Sequence, residues 1–335
     1  MNRTIAKIGY NIRWGWQKFL MRYLRYGYLS YFSDTLIIEP TNQCSLQCTC
    51  CPNGHPDIAM RPKGHMSWDT FESIWKHIDI PISSVCLYFH GEPLLNPELP
   101  RMVAWLTKRH IHVSIFSNAY GINIRRLDEC LQSASDTSLI RLAFSAELHD
   151  AALYESVRKP ARYETILQTL DEINCVFERH HVFFTVNAIM RPRAKQQEKE
   201  YRLQENKAVF ELMERYSQLE AVHFSSRFPW PGLPDTGDLE GNINPTYNIC
   251  DQALANPSVC WDGRVTMCSS DYSGQCIIGS LLDTPYSKLI NNRAARRFRR
   301  ELFMRERNKN PFCQTCLLPR TSIRQRVVKR SHKHE

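Results

Sequence analysis

The 335-residue sequence predicts an α/β protein: a parallel sheet with helices on its outside, followed by a small cysteine-rich domain. Three observations carry this. Between residues 34 and 225 six short apolar runs alternate with segments of helical period, the pattern of repeated β/α units. Residues 225–249 then hold Pro229, Pro231, Gly232, Pro234, Gly237, Gly241 and Pro245, enough chain breakers to end a domain. Beyond them lie Cys250, Cys260, Cys268, Cys276, Cys313 and Cys316, a density of thiols that points to metal ligation.

The strands are predicted at 36–39, 85–89, 112–116, 140–144, 182–187 and 221–224. The first helix is capped by Ser67, whose hydroxyl can accept an orphan backbone N–H, and has Asp69 in its first turn. A second begins at Asn96, with Pro97 at the first helical position where no N–H is needed. Further helices are read at 125–132, 151–157, 163–179 and 195–216. Functional loops belong at the carboxyl ends of such strands. A basic helix spans 291–307, and the tail after Pro319 is basic and expected to be mobile.

Composition bounds the setting. No run approaches the roughly 20 apolar residues that span a bilayer, and Arg13, Lys18 and Arg22 interrupt the N-terminus where a signal peptide needs an uncharged core. Thirteen cysteines without a secretory signal predict a reducing, cytoplasmic setting with thiols as metal ligands. The net charge of +9 is uneven: residues 1–33 carry +6 and residues 293–333 carry +12, which leaves −9 for the rest. Such asymmetry concerns partners rather than fold. In residues 1–33, Ile5, Ile8, Ile12, Trp16, Phe19, Leu20 and Tyr23 recur at helical period among basic residues. Two readings stay open: a peripheral contact with an anionic membrane, or a helix packed across the open side of the core. The basic C-terminal region lacks an RNA-binding module or interleaved aromatic platform, which argues against nucleic acid. A solvated face, or docking of an acidic partner such as a flavodoxin, is the expectation.

The first strand runs into Cys44-Ser45-Leu46-Gln47-Cys48-Thr49-Cys50-Cys51. Cys44, Cys48 and Cys51 have the spacing Cys-x3-Cys-x2-Cys. Zinc sites prefer two close pairs of ligands; a triplet suits a four-iron cluster with one corner free of protein. The loop resembles the signature of the radical S-adenosylmethionine (radical SAM) enzymes. That resemblance implies a partial (β/α)6 barrel over residues 34–235. It also implies a [4Fe-4S] cluster held by Cys44, Cys48 and Cys51, whose free iron chelates the amino and carboxylate groups of S-adenosylmethionine. Many members have an aromatic residue before the third cysteine; here it is Cys50, so Cys50 in place of Cys51 is an alternative third ligand.

Motifs downstream match in order. His90-Gly91-Glu92-Pro93 follows the second strand, where the family's Gly-Gly-Glu-Pro-like turn holds the amino group of S-adenosylmethionine, and His90 adds a titratable ring. Ser117-Asn118 follows the third strand and Ser145 the fourth; Tyr154 and Arg158 come next, and Asn187 ends the fifth. The ordering Ser145, Tyr154, Arg158 resembles the arrangement that binds the carboxylate and ribose of the same cofactor, Ser117-Asn118 stands where relatives often have Thr-Asn, and Asn187 is a further candidate; an arginine fork does suit a carboxylate. The alternative for each is a loop cap or surface pair.

In the last third, Asp262-Gly263 is a hairpin signal that puts Cys268 on a returning strand. With Cys250, Cys313 and Cys316 the pattern resembles the SPASM/twitch extension of radical SAM enzymes. That implies, for residues 236–319, one auxiliary [4Fe-4S] cluster ligated by Cys250, Cys268, Cys313 and Cys316; a four-cysteine zinc site is the alternative. Residues 320–335 are left as a basic tail. Cys260 and Cys276 flank this site and are candidate hydrogen-atom donors to a substrate radical. Cys86, Cys130 and Cys175 read as core packing.

The resemblance implies reductive cleavage of S-adenosylmethionine to a 5′-deoxyadenosyl radical, which abstracts a hydrogen atom from a substrate C–H. The electron comes from a donor such as flavodoxin or ferredoxin. The expected outcome is net oxidation or epimerisation of a carbohydrate-like or other small metabolite. The segment before Leu36 is too short for the leader-recognition domain common in peptide-modifying members. A peptide- or protein-modifying maturase and, outside enzymes, a zinc-stabilised binding module with basic tails are the competing readings.

Overall fold

A computed structural model describes residues 15–16, 19–20, 27–29, 33–58, 60–190, 198–226, 228, 230–233, 250, 257–304, 306–316 and 325–330. Strands β1 (Thr35–Ile38), β2 (Ser84–Leu87), β3 (His112–Ser117), β4 (Ile140–Ser145), β5 (Phe184–Ile189) and β6 (Leu219–Ser225) run parallel, each paired with the next. Helices α1 (Trp68–Lys76), α2 (Leu99–Thr107), α3 (Ile124–Ser133), α4 (Ala151–Val157), α5 (Tyr163–His180) and α6 (Glu198–Arg215) lie between them in the chain. The six parallel strands expected from the sequence are therefore present, joined by five helical connections of which the β4–β5 one holds two helices, with strand bounds shifted by a residue or two.

The alternation of side chains across a strand sorts the sheet into two faces. Leu36, Ile38, Val85, Leu87, Val113, Ile115, Leu142, Phe144, Phe184 and Val186 are buried in one core with Phe71, Met102, Leu127, Ile166 and Phe177 from the helices. The opposite face carries Cys86, Ser114, Phe116, Arg141, Ser145, Thr185 and Asn187 and stays partly open, with Phe116 at 36% exposure.

The cysteine-rich part is not a separate layer. Strand β7 (Ser258–Val259) adds in parallel to the free edge of β1, and β8 (Arg264–Thr266) and β9 (Ile277–Ser280) follow antiparallel. Helices α7 (Tyr286–Leu289), α8 (Arg293–Phe303) and α9 (Pro311–Gln314) complete it. At the far edge β10 (Gln325–Lys329) pairs antiparallel with β6, so one ten-stranded sheet runs through the chain in the order β10-β6-β5-β4-β3-β2-β1-β7-β8-β9.

Four expectations change. Asn96 does not start a helix: its amide donates to the carbonyls of Pro40 (2.7 Å) and Met66 (3.0 Å), clasping two loops, and α2 begins three residues later. Cys175 does not pack in the core but is exposed, because α5 turns Ile173 and Phe177 inward and leaves position 175 outside. His90 is no solvent-titratable ring: it is buried against Phe89, Trp230 and Tyr272, and burial, with Arg61 and Lys63 nearby, pushes its pKa well down. The tail is not mobile throughout, since β6 would otherwise expose an unpaired edge and residues 325–329 fill it. Arg326 locks that strand down, donating to Glu205 at 2.5 Å and to Asn206 and lying over the Phe224 ring at 4.3 Å.

Most of segment 1–33, the start of the 195–216 helix, the 235/236 domain boundary and residues 320–324 and 331–335 lie outside the described residues. Of the N-terminal segment, Trp16 and Phe19 stack at 5.4 Å. Gly27–Leu29 is tied to the C-terminal part by reciprocal bonds between Leu29 and the Asn291 amide. No described helix is long and apolar enough to cross a membrane.

Candidate active site

The cysteine loop leaves the carboxyl end of β1 and is held from three sides. Its Gln47 and Thr49 amides donate to the carbonyls of Lys159 (2.7 Å) and Val157 (2.9 Å) at the end of α4. Ser45 Oγ donates to the Tyr120 carbonyl at 2.9 Å, and the Glu92 amide donates to the Gln43 carbonyl at 2.7 Å. Gly91 makes the last contact possible. Its φ is +106°, and a Cβ there would stand 2.6–2.7 Å from Thr41 O, Asn42 Cα and Gln43 O, so only glycine fits.

Cys44, Cys48 and Cys51 are brought together. Burial raises all three thiols, Cys51 to about 12, and the neighbouring Cys48, Cys50 and Cys44 push Cys51 further up. Thiols that resist ionisation alone but share one half-buried pocket are a donor set that a positively charged guest would satisfy. Cys44 Sγ also accepts from Asn118 Nδ2 at 3.3 Å and from the Leu46 amide at 3.5 Å. Cys50 lies close enough to Arg158 and Cys51 to perturb both. Among the described residues no three His, Cys, Asp or Glu side chains converge tightly enough to wrap a single metal ion; an iron–sulfur cube is a larger guest. A cavity of about 600 Å³ opens beside the loop, lined by Gln43, Cys44, Gln47, Asn53, His55 and Lys63 among others.

The Gly91-Glu92-Pro93 turn abuts this loop. Glu92 is fully buried and its carboxylate accepts from the Leu94 amide (3.1 Å) and the Asn118 amide (2.7 Å). Burial pushes it up to about 7 against those hydrogen bonds and one from Ser117. Glu92, Ser117 and Asn118 thus brace the ends of β2 and β3, and Asn118 passes the brace on to Cys44.

Ser145 and Asn187 are register partners at the ends of β4 and β5. Asn187 Nδ2 and the Tyr154 hydroxyl are buried without a hydrogen-bond partner, which for a buried donor is costly and suits a missing polar ligand. Arg158 is placed differently from the expectation. Its guanidinium grips Glu147 through bonds of 2.9 and 2.7 Å, both groups buried, and it is not a free fork for a carboxylate. Glu147, which also accepts from the Ile189 amide at 3.3 Å, was missed in the sequence. The signal was that a buried arginine requires an acid, and Glu147 stands two residues past Ser145.

Glu39, at the end of β1, is a second residue the sequence reading passed over. It is fully buried, takes Arg61 through bonds of 2.6 and 2.9 Å, and accepts from the Trp261 amide at 3.1 Å. The Arg61 amide in turn donates to the Tyr272 carbonyl at 3.1 Å.

The second thiol set gathers around Cys268, which burial, with Cys250, Cys316 and Cys313 nearby, raises well above the ordinary thiol range. Asn310 caps α9 with its side chain and so presents Cys313 and, one turn on, Cys316. Asp271 shapes the preceding loop, accepting from Thr266 Oγ1 and the amides of Gly274, Gln275 and Cys276 at 2.7–2.9 Å. Cys276 is buried beside Asp271, Cys268 and Cys313, while Cys260 is buried beside Arg61 and Glu39. A hydrogen-donating role for either would need substrate to reach those places.

Comparison with known proteins places the chain in a family and a fold. The model of the radical SAM superfamily matches residues 38–187, and that of the SPASM iron–sulfur cluster-binding domain matches residues 250–317. No curated protein matches. Among solved structures, BtrN in complex with AdoMet and 2-DOIA is 16% identical, covering 86% of this chain and 94% of that one at a TM-score of 0.54. The anSMEcpe structure with bound AdoMet is 15% identical, covering 84% of each chain at 0.58. Streptococcus suis SuiB bound to precursor peptide SuiA is 14% identical, covering 87% of this chain and 71% of that one at 0.54.

Proposed function

We propose, from the premise that this chain belongs to the radical SAM superfamily and carries a C-terminal SPASM domain, that it abstracts a hydrogen atom from an unreactive C–H of a small polar metabolite and achieves its net oxidation. The observation that carries the reading is the pairing of two thiol sets, each partly shielded from solvent: three cysteines on one loop and four others grouped around Cys268. When bound, the [4Fe-4S] cluster at Cys44, Cys48 and Cys51 supplies the electron that cleaves S-adenosylmethionine and so provides a hydrogen-abstracting radical.

The chain's own residues supply position and shielding. The Asn118 amide on Cys44 Sγ orients that ligand and tunes the metal through its sulfur. Gly91 lets the Glu92 turn press on the loop. Asn187, Ser145 and the Tyr154 hydroxyl offer unspent donors for the ribose and carboxylate of the cofactor. Arg158, held by Glu147, keeps a positive charge beside Cys48. On the open face of the sheet Tyr88 meets Phe116 at 4.5 Å, with Cys86, Arg141, Thr185 and His223 on the same face. That mixture suits a small polar substrate.

Cys250, Cys268, Cys313 and Cys316 would hold an auxiliary cluster with four thiolates and no open site, and such a cluster would supply a place for the electron left on the substrate. If a hydrogen atom returns instead, the outcome is epimerisation. Reduced flavodoxin or ferredoxin in the cytoplasm is the electron source in this reading.

The test is anaerobic incubation of reconstituted protein with dithionite and S-adenosylmethionine. Wild type is expected to form 5′-deoxyadenosine and Cys44→Ser to form none. An iron-replete wild type that forms none overturns the reading. Stoichiometric zinc beside a single cluster overturns the auxiliary assignment.

A further inference from the structure

Helix α8 is the most basic element of the chain, and its charges are sorted. Ala295, Phe298, Arg299 and Leu302 are buried. Arg299 is spent on structure, its Nε donating to the Gly27 carbonyl at 2.8 Å and its Nη2 to the Ile290 carbonyl at 2.5 Å. Asn292 caps the helix, accepting from the Ala295 amide at 2.9 Å. The platform is therefore fixed at its N-terminus and along its buried face. Its outer face carries Arg293, Arg296 and Arg300, at spacings of three and four that put them on one stripe. Arg297 is neutralised by Glu301 at 2.7 Å and Lys309 by Glu306 at 2.9 Å. Among the described residues, no carboxylate stands within ion-pair distance of Arg293, Arg296 or Arg300.

This stripe borders a cavity of about 1070 Å³ whose far wall includes Cys276, Asn310 and Pro311. Cys276 is the thiol buried next to Cys268 and Cys313, and Asn310 caps the helix that presents Cys313. The cavity is thus a basic vestibule with the auxiliary thiols directly behind one wall. Three unpaired guanidinium groups spread over two helical turns do not converge on a point as a phosphate pocket would. They match a broad acidic surface. The rest of the chain outside its two ends is acidic, so this face is also where an acidic protein is repelled least.

We infer that the α8 face docks an acidic one-electron carrier protein of the flavodoxin class, which removes the electron gained by the auxiliary cluster. The inference rests on the proposed role of that cluster as electron acceptor. The step is a transfer of one electron from the reduced auxiliary cluster to the carrier's oxidised centre; no bond is made or broken.

The experiment titrates reconstituted holoenzyme with oxidised flavodoxin by calorimetry at two ionic strengths. Wild type is compared with a triple variant, Arg293→Gln with Arg296→Gln and Arg300→Gln. A charge-matched control on exposed side chains elsewhere carries Lys76→Gln, Arg125→Gln and Lys207→Gln. The expected result is binding that weakens with salt, a loss of about tenfold or more in affinity in the α8 variant, and near-wild-type binding in the control. Equal loss in both variants, unchanged binding in the α8 variant, or no binding by wild type overturns the inference. Iron content verifies that the variants fold. Dithionite-driven formation of 5′-deoxyadenosine, expected to be equal in all three, reports separately on the underlying reading.

Discussion

Gly91 is the residue on which the cysteine loop depends most directly, because backbone fills the space on the side where a Cβ would point. Gly91→Ala is expected to cost about 2–4 kcal/mol, from left-handed strain plus overpacking. Anaerobic urea unfolding measures it, and a loss below the error of the titration would show that the loop can step aside. Neighbouring thiols pose a sharper question. Cys51 is electrostatically coupled to both Cys44 and Cys48, and Cys50 stands beside Arg158. Cys51→Ser is therefore expected to lose the S-adenosylmethionine-binding cluster, about half of the bound iron, whereas Cys50→Ser retains it. Iron analysis with electron paramagnetic resonance decides, and the reverse pattern would make Cys50 the ligand. Motif spacing made Cys44, Cys48, Gly91 and Asn118 legible in the sequence. Glu147 was not, because its importance lies in pairing with Arg158 across a loop, and spacing carries no record of which acid a buried arginine will take.

Among the elements, the tail strand β10 was the least expected. Gln325-Arg326-Val327-Val328-Lys329 is short and half polar, and nothing local distinguishes it from a solvated tail. Its partner is the free edge of β6, about 100 residues earlier in the chain. Arg326 supplies the lock, with 19% of its side chain exposed against 5% for Glu205. Arg326→Ala is expected to destabilise by about 3 kcal/mol, since it strands a buried carboxylate. Equilibrium denaturation measures this, and a change under about 0.5 kcal/mol, the size of an ordinary surface substitution, would mean the strand holds without it. The same strand pair sets a pH response. Burial, then Lys329 on β10, holds the His223 ring below its usual 6.5 against the opposing pull of Glu220. A depressed folded pKa means the unfolded chain binds the proton more readily, so stability is complete above pH 6.5 and falls as pH drops below it. His223→Asn should flatten the melting temperature between pH 7 and pH 5 relative to wild type. Parallel profiles would show that the ring is not held neutral.

At the scale of the whole molecule the two halves share one sheet and one buried ion pair. Glu39 leaves β1 toward the cysteine loop, and its carboxylate binds Arg61 and Trp261, while the Arg61 amide reaches Tyr272 in the C-terminal part. Arg61→Ala leaves Glu39 buried without its cation and is expected to cost about 3–5 kcal/mol. Because that pair touches both halves, iron should fall at both thiol sets together. Loss confined to the Cys44 set would show the halves to be independent. By itself the sequence determined the β/α alternation, the six parallel strands, both cysteine sets and the family, since strand and helix periodicity and ligand spacing are local properties written over a few residues. Only the tertiary structure decided that β7 joins β1, that the tail closes the far edge, that Arg158 is held by Glu147, and that α8 overlooks the auxiliary thiols. Each of these joins residues far apart in the chain, and such pairings depend on which edges and charges the fold leaves unsatisfied.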